Sequence, residues 1–238
     1  MPYRAPDQRA VTPQGRGRFP GFDVLAEVDR WDDVTAGVVL ARLAPTTDLS
    51  FFTLAENGAV RALMDLLFAQ DCDPRVPVVA MIDARLAAGE TDGWHYDDMP
   101  GDASAWQQTL AALDEDAREL GDRPFARLEQ HQQAALVQRV QDLGQDGKTW
   151  RGLPAKHVWS LWTRYGCAAF YSHPWAWNEM GFPGPAYPRG YKNMGIDSRE
   201  PFEVADRDGG DPVRSGRRVE QAREEQARQF IGGIGDRA

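Results

Sequence analysis

Cysteine is scarce in this chain: among 238 residues only Cys72 and Cys167 occur. No CxxC pair exists, which excludes thiolate-rich metal sites and dithiol redox motifs. Two lone thiols fit a reducing compartment, and a Cys72–Cys167 disulfide stays open for a protein exported with a partner. Positive charge is also in deficit. With 27 Lys and Arg against 36 Asp and Glu, the formal charge is −9, which argues against nucleic acid or an anionic membrane as a general partner. No apolar run approaches the roughly 20 residues needed to span a bilayer, so no membrane insertion is expected. The start, Met1-Pro-Tyr-Arg4, leads into no apolar core, so no secretory signal is read and the cytoplasm is the expected location.

Reaction chemistry is equally hard to find. Gly-x-Ser-x-Gly is absent, and neither cysteine has an activating local signature. Gly15-Arg-Gly17 and Gly232-Gly-Ile-Gly235 lack the preceding strand and following helix that make a phosphate cradle. Asp32-Asp33 and Asp114-Glu-Asp116 read as helix-end and helix-surface charge rather than acid–base pairs. His95, His131, His157 and His173 show no HxxxH or HExxH spacing that would place two ligands on one helix face. No catalytic, cofactor-binding or metal-binding residue is therefore expected. Two readings stay open at this point: a stand-alone metal-dependent enzyme using His95, Asp97 and His173, and a helical interaction scaffold.

What the chain does have is helical patterning. Asp32-Asp33 suits a helix N-terminus, followed by Val34, Val38, Val39 and Leu43 up to Pro45. Thr53 and Glu56 have capping-box spacing, and Val60, Leu63, Met64 and Leu67 make one apolar face. Pro77 fits a first helical turn, with Val78, Met81, Ile82 and Leu86 behind it. After a loop over residues 89–101, Ser104 and Gln107 offer another box. Trp106, Leu110, Leu113, Ala117 and Leu120 then form the cleanest amphipathic stripe. Phe125, Leu128, Leu136, Val140 and Leu143 point to a further helix, and residues 144–152 to a turn. From Pro154 a last strong helix carries Val158, Leu161, Trp162, Tyr165, Ala168 and Ala169 and stops short of Pro174. No convincing period-two strand appears. The fold class is all-α: an irregular helical bundle over residues 23–200, with an extended arm over 1–22 and a charged, partly helical tail over 201–238. In the tail, residues 217–230 carry a thin apolar face.

The stretch beyond Pro174 is the exception to this regularity. Trp175, Trp177, Phe182, Tyr187 and Tyr191 lie among Pro and Gly in a run too irregular for a helix or strand to hide them. Aromatic side chains with few rotatable bonds, on backbone stiffened by proline, are what binding interfaces favour. A lid packed on the protein's own helices is the plainer reading. The expected partner-binding residues are Tyr171, His173, Pro174, Trp175, Trp177, Asn178, Phe182, Tyr187 and Tyr191.

Several segments, taken in order, carry a likeness. These are Val78-Val-Ala-Met-Ile-Asp-Ala-Arg-Leu86, then Phe125 with Leu128 and Gln133 with Leu136, then Phe170-Tyr-Ser-His-Pro174. Over about residues 48–195 the chain resembles the gluconate 2-dehydrogenase subunit 3 family. Phe170, Tyr171, His173, Pro174, Asn178, Gly181, Gly184 and Tyr187 match its pattern of a helix ending in an aromatic pair, a polar residue and proline, followed by a Gly/Asn-rich loop. His173 fills the polar position in place of the more usual Asp, Trp175-Ala-Trp177 replaces the usual Tyr-Gly-Gly flavour, and no twin-arginine export signal is seen. The resemblance implies a bacterial, non-catalytic small subunit. Its obligate partner would be a large FAD-dependent oxidoreductase of the glucose–methanol–choline (GMC) class, acting on a sugar, sugar acid or related alcohol and holding the FAD itself. Export together with a signal-bearing partner is the alternative location that it implies.

Overall fold

The computed structural model describes residues 19, 22–43, 49–71, 73, 75–193, 195 and 198–204. All belong to the first of two compact units, residues 1–204. Of the arm expected over 1–22 only Phe19 and Phe22 are described, and of the tail over 201–238 only residues 201–204. Cys72 and the helix read at 217–230 lie outside the described residues.

The elements are helices, as the periodicity required. A 3-10 helix, Val24–Arg30, leads into α1, Asp33–Ala41. Asp32 caps α1 by accepting the Thr35 N–H at 2.7 Å, which holds its carboxyl below the usual carboxylate range. Next comes α2, Leu54–Leu67, with the expected capping box in place: Thr53 Oγ1 accepts from the Glu56 N–H while Glu56 Oε2 accepts from the Thr53 N–H. Helix α3 spans Val78–Ala87, with Pro77 at its cap position.

Helix α4, Asp102–Gly121, starts two residues before the box read at Ser104 and Gln107. Gly101 takes the cap position instead, and Ser104 lies inside the helix, where Gln108 donates to its hydroxyl. The reason is tertiary. Tyr165 donates to the Asp102 carboxylate at 2.7 Å, fixing that acid at the positive end of the helix.

Two long helices complete the body: α5, Gln130–Gln145, and α6, Ala155–Ser172. A minimal antiparallel pair joins them, β1 (Thr149–Trp150) with β2 (Leu153–Pro154). Its turn needs positive φ at both Arg151 and Gly152, as a type I′ turn does. Arg151 is held there by the Asp116 carboxylate, to which its Nε donates at 2.7 Å. Close approach of α5 to α6 depends on Gly144, since a Cβ there would sit 2.9 Å from the Lys156 backbone nitrogen.

Apart from that of α1, the stripes read from the sequence converge on one core. Val60, Leu63, Met64, Ile82, Leu86, Trp106, Leu110, Leu113, Val140, Leu161, Trp162 and Tyr165 are all buried in it. Leu67, Met81 and Leu143 are partly buried against it, while Leu120 at the end of its stripe is exposed.

One polar side chain fixes how α2 enters this core. Asp83, buried on α3, accepts from the backbone N–H groups of Ser50 at 2.7 Å, Phe51 at 3.0 Å and Phe52 at 2.8 Å. Removing the carboxylate would strand these donors, one of them fully buried. Asp83→Ala is expected to lower unfolding stability by about 3 kcal/mol or more. Urea denaturation checks this, and a loss below about 1 kcal/mol would contradict the role.

Candidate partner interface

Helix α6 ends where the sequence requires, with His173 extended ahead of Pro174. The chain beyond is helical as far as Met180, which corrects the reading of that part, and from Gly181 to Asn193 it is turn and irregular backbone as expected. Pro174 opens a further helix, α7, Pro174–Met180. Proline suits the first helical position because it lacks an N–H that would go unpaired there. His173 Nδ1 caps the helix by accepting from the Trp175 N–H at 3.2 Å. Gly181, left-handed at φ 70°, closes it, and the Phe182 N–H reaches back to the Trp177 carbonyl at 2.9 Å.

Because α7 has faces, it can hide rings. Trp177 is buried in a second core with Val24, Leu25, Trp31 and Val39. Its indole N–H donates to the Tyr171 carbonyl at 2.7 Å, and the Arg42 guanidinium lies 5.6 Å from its ring centroid. Asn178 accepts the Val24 N–H at 2.7 Å and donates to Asp23 at 3.3 Å. A Cβ on Gly181 would meet the Phe19 ring at 2.6 Å, and one on Gly184 the Trp31 ring at 2.5 Å. The glycines are there so that the aromatic segment and the N-terminal segment can touch.

The nine expected contact residues therefore divide. His173, Pro174, Trp177 and Asn178 are buried, and Trp175 is partly buried against the main core. In the free chain they pack inside the protein. Tyr171 (49% exposed), Phe182, Tyr187 (66%) and Tyr191 face solvent, and Met180 joins them. The exposed rings are carried on a braced segment. Arg189 pairs with Glu27 and lies over the Phe202 ring, while the buried Glu200 takes the Lys192 and Asn193 N–H groups.

The residues of the metal-enzyme alternative are not brought together. His95 and Asp97 are exposed in the loop before α4, whereas His173 is 1% exposed and committed to capping. Among the described residues no group of three or more His, Cys, Asp or Glu side chains is arranged to hold a metal ion. That loop is latched onto α3 and α6: Arg85 and Arg164 both pair with Asp92, and His157 Nδ1 meets Asp98 at 2.7 Å. Cys167 is exposed on α6. Among the described residues no helix is long and apolar enough to cross a membrane.

The fold and this surface define a small helical protein with its aromatic segment folded onto its own N-terminal region. The chain belongs to the gluconate 2-dehydrogenase subunit 3 family: the model of that family matches residues 55–184, more than half of the chain. The match ends at Gly184 and includes α7, but it starts after the N-terminal segment that α7 grips. No curated protein matches, and no solved structure matches.

Burial holds His173 neutral, with its pKa pushed down to about 4. An unfolded histidine titrates near 6.5. Between those values the unfolded chain binds the proton and the folded chain does not. Stability contributed by neutral His173 is thus complete above about pH 6.5 and declines as pH falls towards 4, by up to about 3 kcal/mol. Thermal denaturation of wild type and His173→Asn from pH 4 to 7 checks this. The variant retains a cap but should show a shallower decline, and parallel curves would contradict the assignment.

Proposed function

We propose that this protein is the non-catalytic small subunit of an FAD-dependent dehydrogenase of the GMC class, binding and stabilising the large subunit that oxidises a sugar, sugar acid or related alcohol. Membership of a family of dehydrogenase subunits supports the existence of a partner. The observation that carries the reading is the row of exposed Tyr171, Met180, Phe182, Tyr187 and Tyr191 on a segment already folded. Such groups gain apolar burial on contact while little freedom remains to be lost. In this reading the flavin is held by the large subunit.

Co-expression with a flavoprotein encoded in a neighbouring gene tests the proposal. The two chains are expected to co-elute, flavin absorbance to follow the large chain, and the flavoprotein to melt at higher temperature in the complex. Tyr187→Ala combined with Phe182→Ala should weaken association by about 2 kcal/mol. A small chain that elutes alone and leaves the flavoprotein's melting unchanged would refute it.

A further inference from the structure

Helix α1 has two apolar faces and uses one. Val39 is buried, and Ala36, Leu40 and Leu43 pack against the second core. The opposite face reads Val34, Gly37, Val38 and Ala41, the i, i+3, i+4, i+7 spacing of a face made to be covered. Val34 is 75% and Val38 53% exposed. A Cβ on Gly37 would meet nothing within 4 Å, so the fold of the free chain does not require glycine there. Glycine in a helix interior is destabilising relative to alanine and is useful where another backbone must come close.

A trough of about 580 Å³ runs beside this face. Small side chains on three helices, Ala41 on α1, Ala80 and Ala84 on α3, and Ala168 on α6, share its lining with the larger Met81 and Tyr165. Its charged lining residues are Arg42, Arg85 and Glu90, and the two arginines differ. Arg85 is paired with Asp92. Arg42 donates to the Ser172 carbonyl at 2.7 Å and lies over Trp177, with no carboxylate partner among the described residues. Partial burial pulls its pKa down, the sign of a cation that has given up water without gaining an anion. No ion pair joins Arg42 to Glu90 or to another acid among the described residues, so its guanidinium has room for a carboxylate.

We propose that the outer face of α1 and the adjoining trough seat an α-helix of the dehydrogenase partner, with an aspartate or glutamate of that helix paired to Arg42. The proposal rests on the reading of this chain as a dehydrogenase subunit, and it adds a docking site distinct from the exposed rings after α7. Small residues on the receiving side let the two helix axes approach closely. The single acid fixes the register of the incoming helix, since a charge brought into such a trough must meet its counter-ion.

The test uses the full chain co-expressed with the flavoprotein. Gly37→Trp fills the space that the incoming helix would occupy, and Val38→Glu places a charge on the same face without adding comparable bulk. Each variant is expected to melt like the wild type when alone, yet to bind the flavoprotein at least about ten-fold more weakly. A photo-crosslinker at position 38 is expected to capture a helical segment of the flavoprotein containing Asp or Glu. Wild-type affinity in a well-folded Val38→Glu chain overturns this site while leaving the subunit assignment standing. Capture of a second copy of this chain, or of a segment without an acid, also overturns it. A wild-type chain that never binds the flavoprotein overturns both.

Discussion

The side of this protein that carries the exposed rings depends on a join made between residues far apart in sequence: the Asn178 side chain accepting the buried Val24 N–H. That bond closes a small second core in which Val24, Leu25, Trp31, Val39 and Trp177 lose their contact with water. Burial of each large apolar side chain contributes on the order of 1.5–3 kcal/mol. Without the join, α7 would be a seven-residue helix held only by its packing on the main core through Ala176 and Trp175, and it is far below the length at which an isolated helix persists. Arg42 ties this second core to the first. It bridges from α1 to the Ser172 carbonyl at the end of α6 and lies over Trp177.

The consequence for association is preorganisation. An aromatic segment that dangled in solution would lose backbone and side-chain freedom on docking, and that loss would offset much of the gain from burying its rings. Here the ordering has already taken place during folding. His173 caps α7, Gly181 ends it, and the Arg189–Glu27 pair and Glu200 hold the chain beyond. What remains outside is a set of rings with little left to order and one apolar face of α1.

The main body was legible in the sequence because its helices are long enough to repeat. Val60, Leu63 and Met64 on α2 and Trp106, Leu110, Leu113 and Ala117 on α4 declared their faces by spacing alone, and all are buried. The Thr53–Glu56 box marked a true helix start. The similar pair at Ser104 and Gln107 did not, because the site of initiation was set by Tyr165 and Asp102, 63 positions apart, which no local pattern contains. The misread stretch after Pro174 carried the right punctuation, with a proline to open and a glycine to close. At seven residues it was too short for periodicity to show which rings faced inward. Trp177 and Asn178 were picked out by residue type, but their partners lie in the segment around Val24, about 150 positions away. The open face of α1, and Arg42 without an acid against it among the described residues, left no such mark in the sequence. Val34 and Val38 were read only as residues along the first helix, and the structure shows them facing outward.

The central claim is that the aromatic segment is folded onto the N-terminal region before any partner arrives. Amide hydrogen exchange on the full chain, purified alone, reads it most directly at the Val24 N–H, whose acceptor is a side chain 154 positions away. The account predicts strong protection at Val24 and at the Trp177 and Phe182 amides, lost together in Asn178→Ala while α4 stays protected. Val24 exchanging at the rate of an unstructured amide in the free wild-type chain would contradict it.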